Sequence, residues 1–257
     1  MTYPTDKMDS MQGLRLRPCF WRTPNSALAF AVVLASFFAA MRAIAMLGPI
    51  VYRPFFLLHC VFMACVPWVF LSRADRQQVG LKRSAYLGAY PQAALAGVLV
   101  SSLCFLLGYL LFGMSSDNWF VSIGNSFRAQ PTDGFSLLQL HLMFTIPGCI
   151  FSPIGEEIFF RGFFQRSLET RLSEKNGAFV ESAWFAAVHL IHHGIVATAI
   201  GFAFRPLSGA LWFLLMFVLS CLFAWLRKRS DSIFPAIVAH SAFNATMNSF
   251  IFAYLWY

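Results

Sequence analysis

The stretch Glu156-Glu157-Ile158-Phe159-Phe160-Arg161 closes an apolar run that begins near residue 136 and carries no formal charge before the two glutamates. A run of that length is enough to cross a bilayer as a helix, which takes about 20 residues. Ionisable groups inside a bilayer cost about 2.5 kcal/mol or more each, so they are functional candidates by default. Two adjacent carboxylates repel each other, and holding both calls for partners or a shared proton. Reading outward from this pair, the rest of the chain looks like a scaffold built around it.

The composition places that scaffold in a membrane. Of the 257 residues, 58% are hydrophobic and only 12% are charged, and thirty are Phe. A soluble domain carries about 25% charged residues. The net charge of +8 would point to nucleic acid in a soluble chain. Here it reads as membrane topology, and no nucleic-acid partner is expected. The six cysteines (19, 60, 65, 104, 149 and 221) are scattered, without CxxC or zinc spacing. They read as free core thiols.

The fold expected is all-α: a polytopic transmembrane helical bundle of about seven spans. The spans are 26–48, 54–72, 88–113, 136–160, 178–203, 207–226 and 233–256. Residues 1–25 form a basic N-terminal tail, 26–113 three N-terminal transmembrane helices, and 136–257 the core that carries the chemistry. The first span is long for a signal peptide and is read as uncleaved. The segment 115–135 reads as a polar loop.

Lys and Arg number four in the tail, four in 73–87, four in 161–177 and three in 227–232, fifteen of the nineteen. The other four, Arg42, Arg53, Arg128 and Arg205, lie near or within the opposite connections. The positive-inside rule then puts the N-terminus in the cytoplasm. The localisation expected is a multi-pass protein of the cell's inner (plasma) membrane, with the site toward the cytoplasmic half.

Residues four apart share a helix face, so Glu157 and Arg161 can pair. Glu156 points about 100° away and has no such partner. Glu157 is therefore expected to be the held carboxylate and Glu156 the one available for proton transfer. Pro147 and Pro153 should kink this span and free carbonyls toward a cavity. His189 lies about 16 Å into the fifth span and His240 about 10 Å into the seventh, at 1.5 Å per residue. Asn244 shares a face with His240. Glu156, Glu157, His189, His240 and Asn244 thus reach one depth from three spans. His192 and His193 read as packing or cavity residues, His59 and His141 as structural, and Arg42 as a snorkelling residue at a span end.

These residues resemble three motifs of the CPBP intramembrane proteases. The motifs are Glu-Glu-x-x-x-Arg at 156–161, Phe-x-x-x-His at 185–189 and His-x-x-x-Asn at 240–244. That family includes type II CAAX prenyl endopeptidases and bacteriocin-processing or immunity (Abi-like) proteins. The resemblance covers about residues 136–250. It implies peptide-bond hydrolysis by an activated water, with Glu156 as general base beside His189. It implies His240 and Asn244 at the oxyanion, and Glu157 with Arg161 as a supporting pair.

Amide hydrolysis needs a base for water, a donor to the tetrahedral oxyanion and an acid for the leaving amine, and these residue types supply all three. A rival mechanism places a divalent metal, zinc, on Glu156, His189 and His240 with one position open for water. HExxH is absent. The expected partners are membrane lipid and a protein or peptide substrate with a membrane-associated segment. Two other functions compete: a catalytically silent immunity or scaffold protein, and a proton- or cation-coupled transporter. A transporter should show inverted repeats, and the first three spans hold no counterpart of the Glu/His cluster.

Overall fold

The structure is a computed structural model that describes residues 14–17, 26–198 and 200–256. Apart from 14–17, the expected tail 1–25 lies outside the described residues. Among the described residues, ten α-helices and one β-hairpin follow in order: α1 Ser26–Leu47, α2 Phe55–Phe70, α3 Arg73–Gln78, α4 Ala89–Phe112, α5 Trp119–Arg128, α6 Leu137–Glu156, α7 Gln165–Leu168, α8 Glu174–His189, β1 Ile195–Thr198, β2 Gly201–Phe204, α9 Pro206–Ser230 and α10 Phe234–Phe250. A π-helical stretch, Glu157–Phe164, joins α6 to α7, and a second, Ile251–Leu255, extends α10.

Local chemistry sets the ends. Ser136 and Gln139 form a reciprocal capping box at the start of α6, which satisfies amides that would otherwise lack partners. Pro206 and Pro235 sit in the first turns of α9 and α10, where a missing N–H costs nothing.

Among the described residues, five helical segments are long and apolar enough to cross a membrane: Ser26–Leu47, Ile50–Phe70, Ala89–Phe112, Leu137–Leu168 and Pro206–Ser230. Only 17–44% of each is buried within the protein, so most of their apolar surface faces outward and only lipid can cover it. The chain is an all-α integral membrane bundle. Its two other long helices, α8 and α10, pack into the middle. α10 lies along α4, α6 and α9, and α8 lies along α9.

Three elements differ from the sequence expectation. Residues 178–203 are not one span. The helix starts earlier, at Glu174, and stops at His189, and Ile195–Phe204 then form an antiparallel hairpin. Gly194, which leads into the first strand, has φ 116°, a backbone conformation that side-chain-bearing residues rarely adopt. Residues 115–135 are not only loop. Asn118 caps α5, whose Trp119, Phe120 and Val121 are buried. The fourth span, bounded at 160 by hydropathy, runs on through the π-helical stretch to Leu168, a continuation that the helix formers and the absence of proline in 158–175 allow.

Gly155 is where α2 meets α6. A methyl group there would lie 2.3 Å from the Cys60 carbonyl oxygen. Backbone cannot yield as a side chain can, so Gly155→Ala should cost about 1–3 kcal/mol. Lower resistance to denaturation in micelles would show it.

Candidate active site

The polar interior has two layers, and the π-helical stretch divides them. Glu156 is the last residue of α6 and Glu157 the first of the π segment. Both are fully buried, but they face different helices. Insertions of this kind inside helices are frequent at functional sites.

In the first layer, Glu156 Oε1 accepts from the Arg42 guanidinium at 2.5 Å and from Ser152 Oγ at 2.6 Å. Glu156 Oε2 has no hydrogen-bond partner and lies 3.6 Å from His189 Nε2. His189 Nδ1 is 2.7 Å from the Phe185 carbonyl oxygen. A carbonyl only accepts, so Nδ1 carries the proton and Nε2 of the neutral ring is bare. Two acceptor atoms, Oε2 and Nε2, therefore face each other. A water molecule donating one hydrogen to each would satisfy both. The Trp212 indole N–H donates to the His189 carbonyl at 3.1 Å and fixes the end of α8. His192 joins this layer, its Nε2 3.3 Å from Arg42 Nη1.

In the second layer, Glu157 Oε1 is 2.8 Å from His240 Nδ1 and Glu157 Oε2 is 3.1 Å from Arg161 Nε. Arg161 also faces Glu181 at 3.5 Å and donates to Ser220 Oγ at 2.8 Å. Its guanidinium lies between the rings of Phe185, at 4.1 Å, and Phe223, at 5.1 Å. Planar guanidinium stacks well in this way.

One cavity of about 450 Å³ joins the reactive groups. Glu156, His189, His192, His240 and Asn244 line it, whereas Glu157 and Arg161 do not. The structure thus brings the expected residues together but separates them by role. Asn244 spends one amide hydrogen on the Gly148 carbonyl at 2.8 Å and keeps a second for the cavity. The cavity also reaches Arg53, Ser126 and Gln130, residues of the two connections poor in Lys and Arg.

The sequence reading needs three corrections here. Glu156 is not free of a cation, because Arg42 holds it. Arg42 does not snorkel, being fully buried. Glu181, which its place near a polar segment would leave at an edge, is instead buried against Arg161. A cation 16 positions into an apolar helix was the signal that could have revealed Arg42, since buried charges come paired.

The geometry does not fit a catalytic zinc. Among the described residues, no three His, Cys, Asp or Glu side chains converge as metal ligands. The Arg42 guanidinium lies 2.5 Å from Glu156 and 3.4 Å from His189 Nε2, which places a fixed positive charge where a metal cation would have to sit. The five described cysteines are free and take no part.

Comparison with curated proteins and with solved structures gave no match. A family model did: residues 138–246 match the type II CAAX prenyl endopeptidase, Rce1-like family. That segment holds Glu156, Glu157, Arg161, His189, His240 and Asn244, while Arg42 and Arg53 lie outside it. Over residues 138–246, from α6 to α10, the chain is similar to that family, which supports a CPBP-type intramembrane protease.

Proposed function

We propose that this protein is an intramembrane endopeptidase that hydrolyses a peptide bond of a membrane-associated protein or peptide, using a water activated by Glu156 and His189. The observation that carries this reading is the facing pair of acceptors on the wall of the cavity, 3.6 Å apart: Glu156 Oε2, which has no hydrogen-bond partner, and His189 Nε2, which has Arg42 Nη1 at 3.4 Å. Arg42 and Ser152 occupy the other carboxylate oxygen and so fix the direction of Oε2.

In the reaction the water gives one proton to the pair, and its oxygen bonds to the scissile carbonyl carbon. The carbonyl π electrons move to the oxygen. Asn244 donates to that oxyanion from its spare amide hydrogen. His240, whose Nδ1 faces Glu157 Oε1, donates from Nε2 when its ring is protonated. Collapse of the intermediate breaks the C–N bond, and the proton held by Glu156 and His189 passes to the leaving amine. Glu157, Arg161 and Glu181 act as positioning residues behind His240.

The mechanism is metal-independent in this reading. Purified protein should keep full activity after exhaustive treatment with a chelator, with bound zinc well below one per chain by elemental analysis. Activity lost to chelation and restored by zinc would contradict it. Substrate approach is from the face that bears Arg53 and Gln130, or laterally from lipid.

A further inference from the structure

We propose that Arg53 is an anion-binding point at the mouth of the cavity and takes a carboxylate of the peptide being cleaved; the inference rests on the protease reading above. Four basic residues belong to the connections poor in Lys and Arg, and three have acceptors. Arg42 is on Glu156 at 2.5 Å. Arg128 donates to the Leu255 and Trp256 carbonyls. Arg205 meets Ser122 at 3.0 Å and Asp117 at 3.5 Å. Arg53 differs. Its side chain reaches only the Met46 thioether, at 3.5 Å, a weak acceptor. Its Nε is buried with no hydrogen-bond partner. Among the described residues it has no oxygen acceptor.

The position is also fixed. Arg53 follows a 3₁₀ turn, Ile50–Tyr52, and is flanked by Pro49 and Pro54; its N–H donates to the Ile50 carbonyl. It is half-buried and close enough to His192 to interact with it electrostatically. A buried donor left unpaired is costly, so a ligand that supplies an acceptor recovers that cost on binding.

Charge selects the ligand class. Among the described residues, Arg53 and Glu156 are the only formally charged ones lining the cavity, and Arg42 neutralises Glu156 from behind. The cavity therefore presents one uncompensated positive charge. A guanidinium fork matches carboxylate and phosphate oxygens alike. The carboxylate is favoured because Arg53 shares its cavity with Glu156 and His189, so the anion must enter with the bond to be cleaved. At about 450 Å³ the space suits a small ligand or a short peptide segment. An extended chain covers roughly 3.3–3.6 Å per residue. The carboxylate therefore lies within a few residues of the scissile bond, as a chain terminus or an acidic side chain.

The test compares a fluorescent apolar tetrapeptide ending in a free carboxylate with its C-terminal amide. Binding is measured to full-length protein carrying Glu156→Gln, so that the readout does not depend on turnover. In phosphate-free maltoside micelles the acid should bind about tenfold more tightly than the amide. Adding Arg53→Gln should bring the ratio near one, and Arg53→Lys should keep part of it. An acid/amide ratio near one with Arg53 present, or a ratio unchanged by Arg53→Gln, overturns the proposal. So does an Arg53 dependence seen only in phosphatidylglycerol nanodiscs, which would make a lipid phosphate the ligand. Because binding alone is read, failure of the protease reading would show separately, as binding without cleavage by the chain with Glu156 intact.

Discussion

Glu156→Gln should abolish proteolysis while leaving a folded protein. Gln is isosteric, and its carbonyl oxygen can still accept from Arg42 and Ser152, which now hold Oε1 at 2.5 and 2.6 Å. What is lost is the anionic Oε2 facing His189. A positioned general base contributes about 10²–10⁴-fold to rate, so turnover should fall by about that factor. His189→Ala should fall by a similar factor, since the two atoms act on one water. Groups that work as a unit are not additive, and Glu156→Gln with His189→Ala should lose little more than either alone. Single-turnover cleavage, normalised to folded protein by size-exclusion chromatography, measures this. Two losses that multiply would mean that the residues serve separate steps.

Arg42→Met should be the most damaging single change to stability. Arg42 and Glu156 are both fully buried, and removing one partner of such a pair leaves the other charge unpaired. That costs about 3–5 kcal/mol. The same reasoning predicts rescue. Arg42→Met combined with Glu156→Gln removes both charges and should recover most of the stability, with no recovery of activity. The coupling is read as a double-mutant cycle of denaturation in micelles. Full additivity of the two changes would mean that Arg42 does not hold Glu156.

Much of the fold was legible because hydropathy and charge act over long stretches. Apolar runs near the length of a bilayer located α1, α2, α4, α6 and α9 to within a few residues. What was not legible depended on short-range detail. Ile195–Phe204 is as apolar as a span, so hydropathy carried α8 through it; the break depends on Gly194 and on β-branched Ile195, Val196 and Thr198. Helix α5 was hidden because its polar residues alternate with Trp119, Phe120 and Ile123 on one buried face, and the segment around it reads as loop.

In the site, the i,i+4 relation of Glu157 and Arg161 could be read from spacing, and the ion pair is present at 3.1 Å. Contacts between distant helices could not be read in that way. Arg42 and Glu156 are separated by 114 positions, and His240 and Glu157 by 83. Nothing in either neighbourhood specifies those pairings. Composition could still have narrowed the search. Arg42 and Glu181 are ionisable residues within helices, and each required a partner of opposite sign.

The central claim is that Glu156 and His189 activate a water to cut a peptide bond. The most direct measurement is cleavage of solubilised membrane proteins by purified protein in H₂¹⁸O, with mass spectrometry of the new C-termini. The account predicts new termini whose carboxyl carries one ¹⁸O with the native chain and none with Glu156→Gln. New labelled termini in equal amount from both proteins, or none from the native chain, would contradict it.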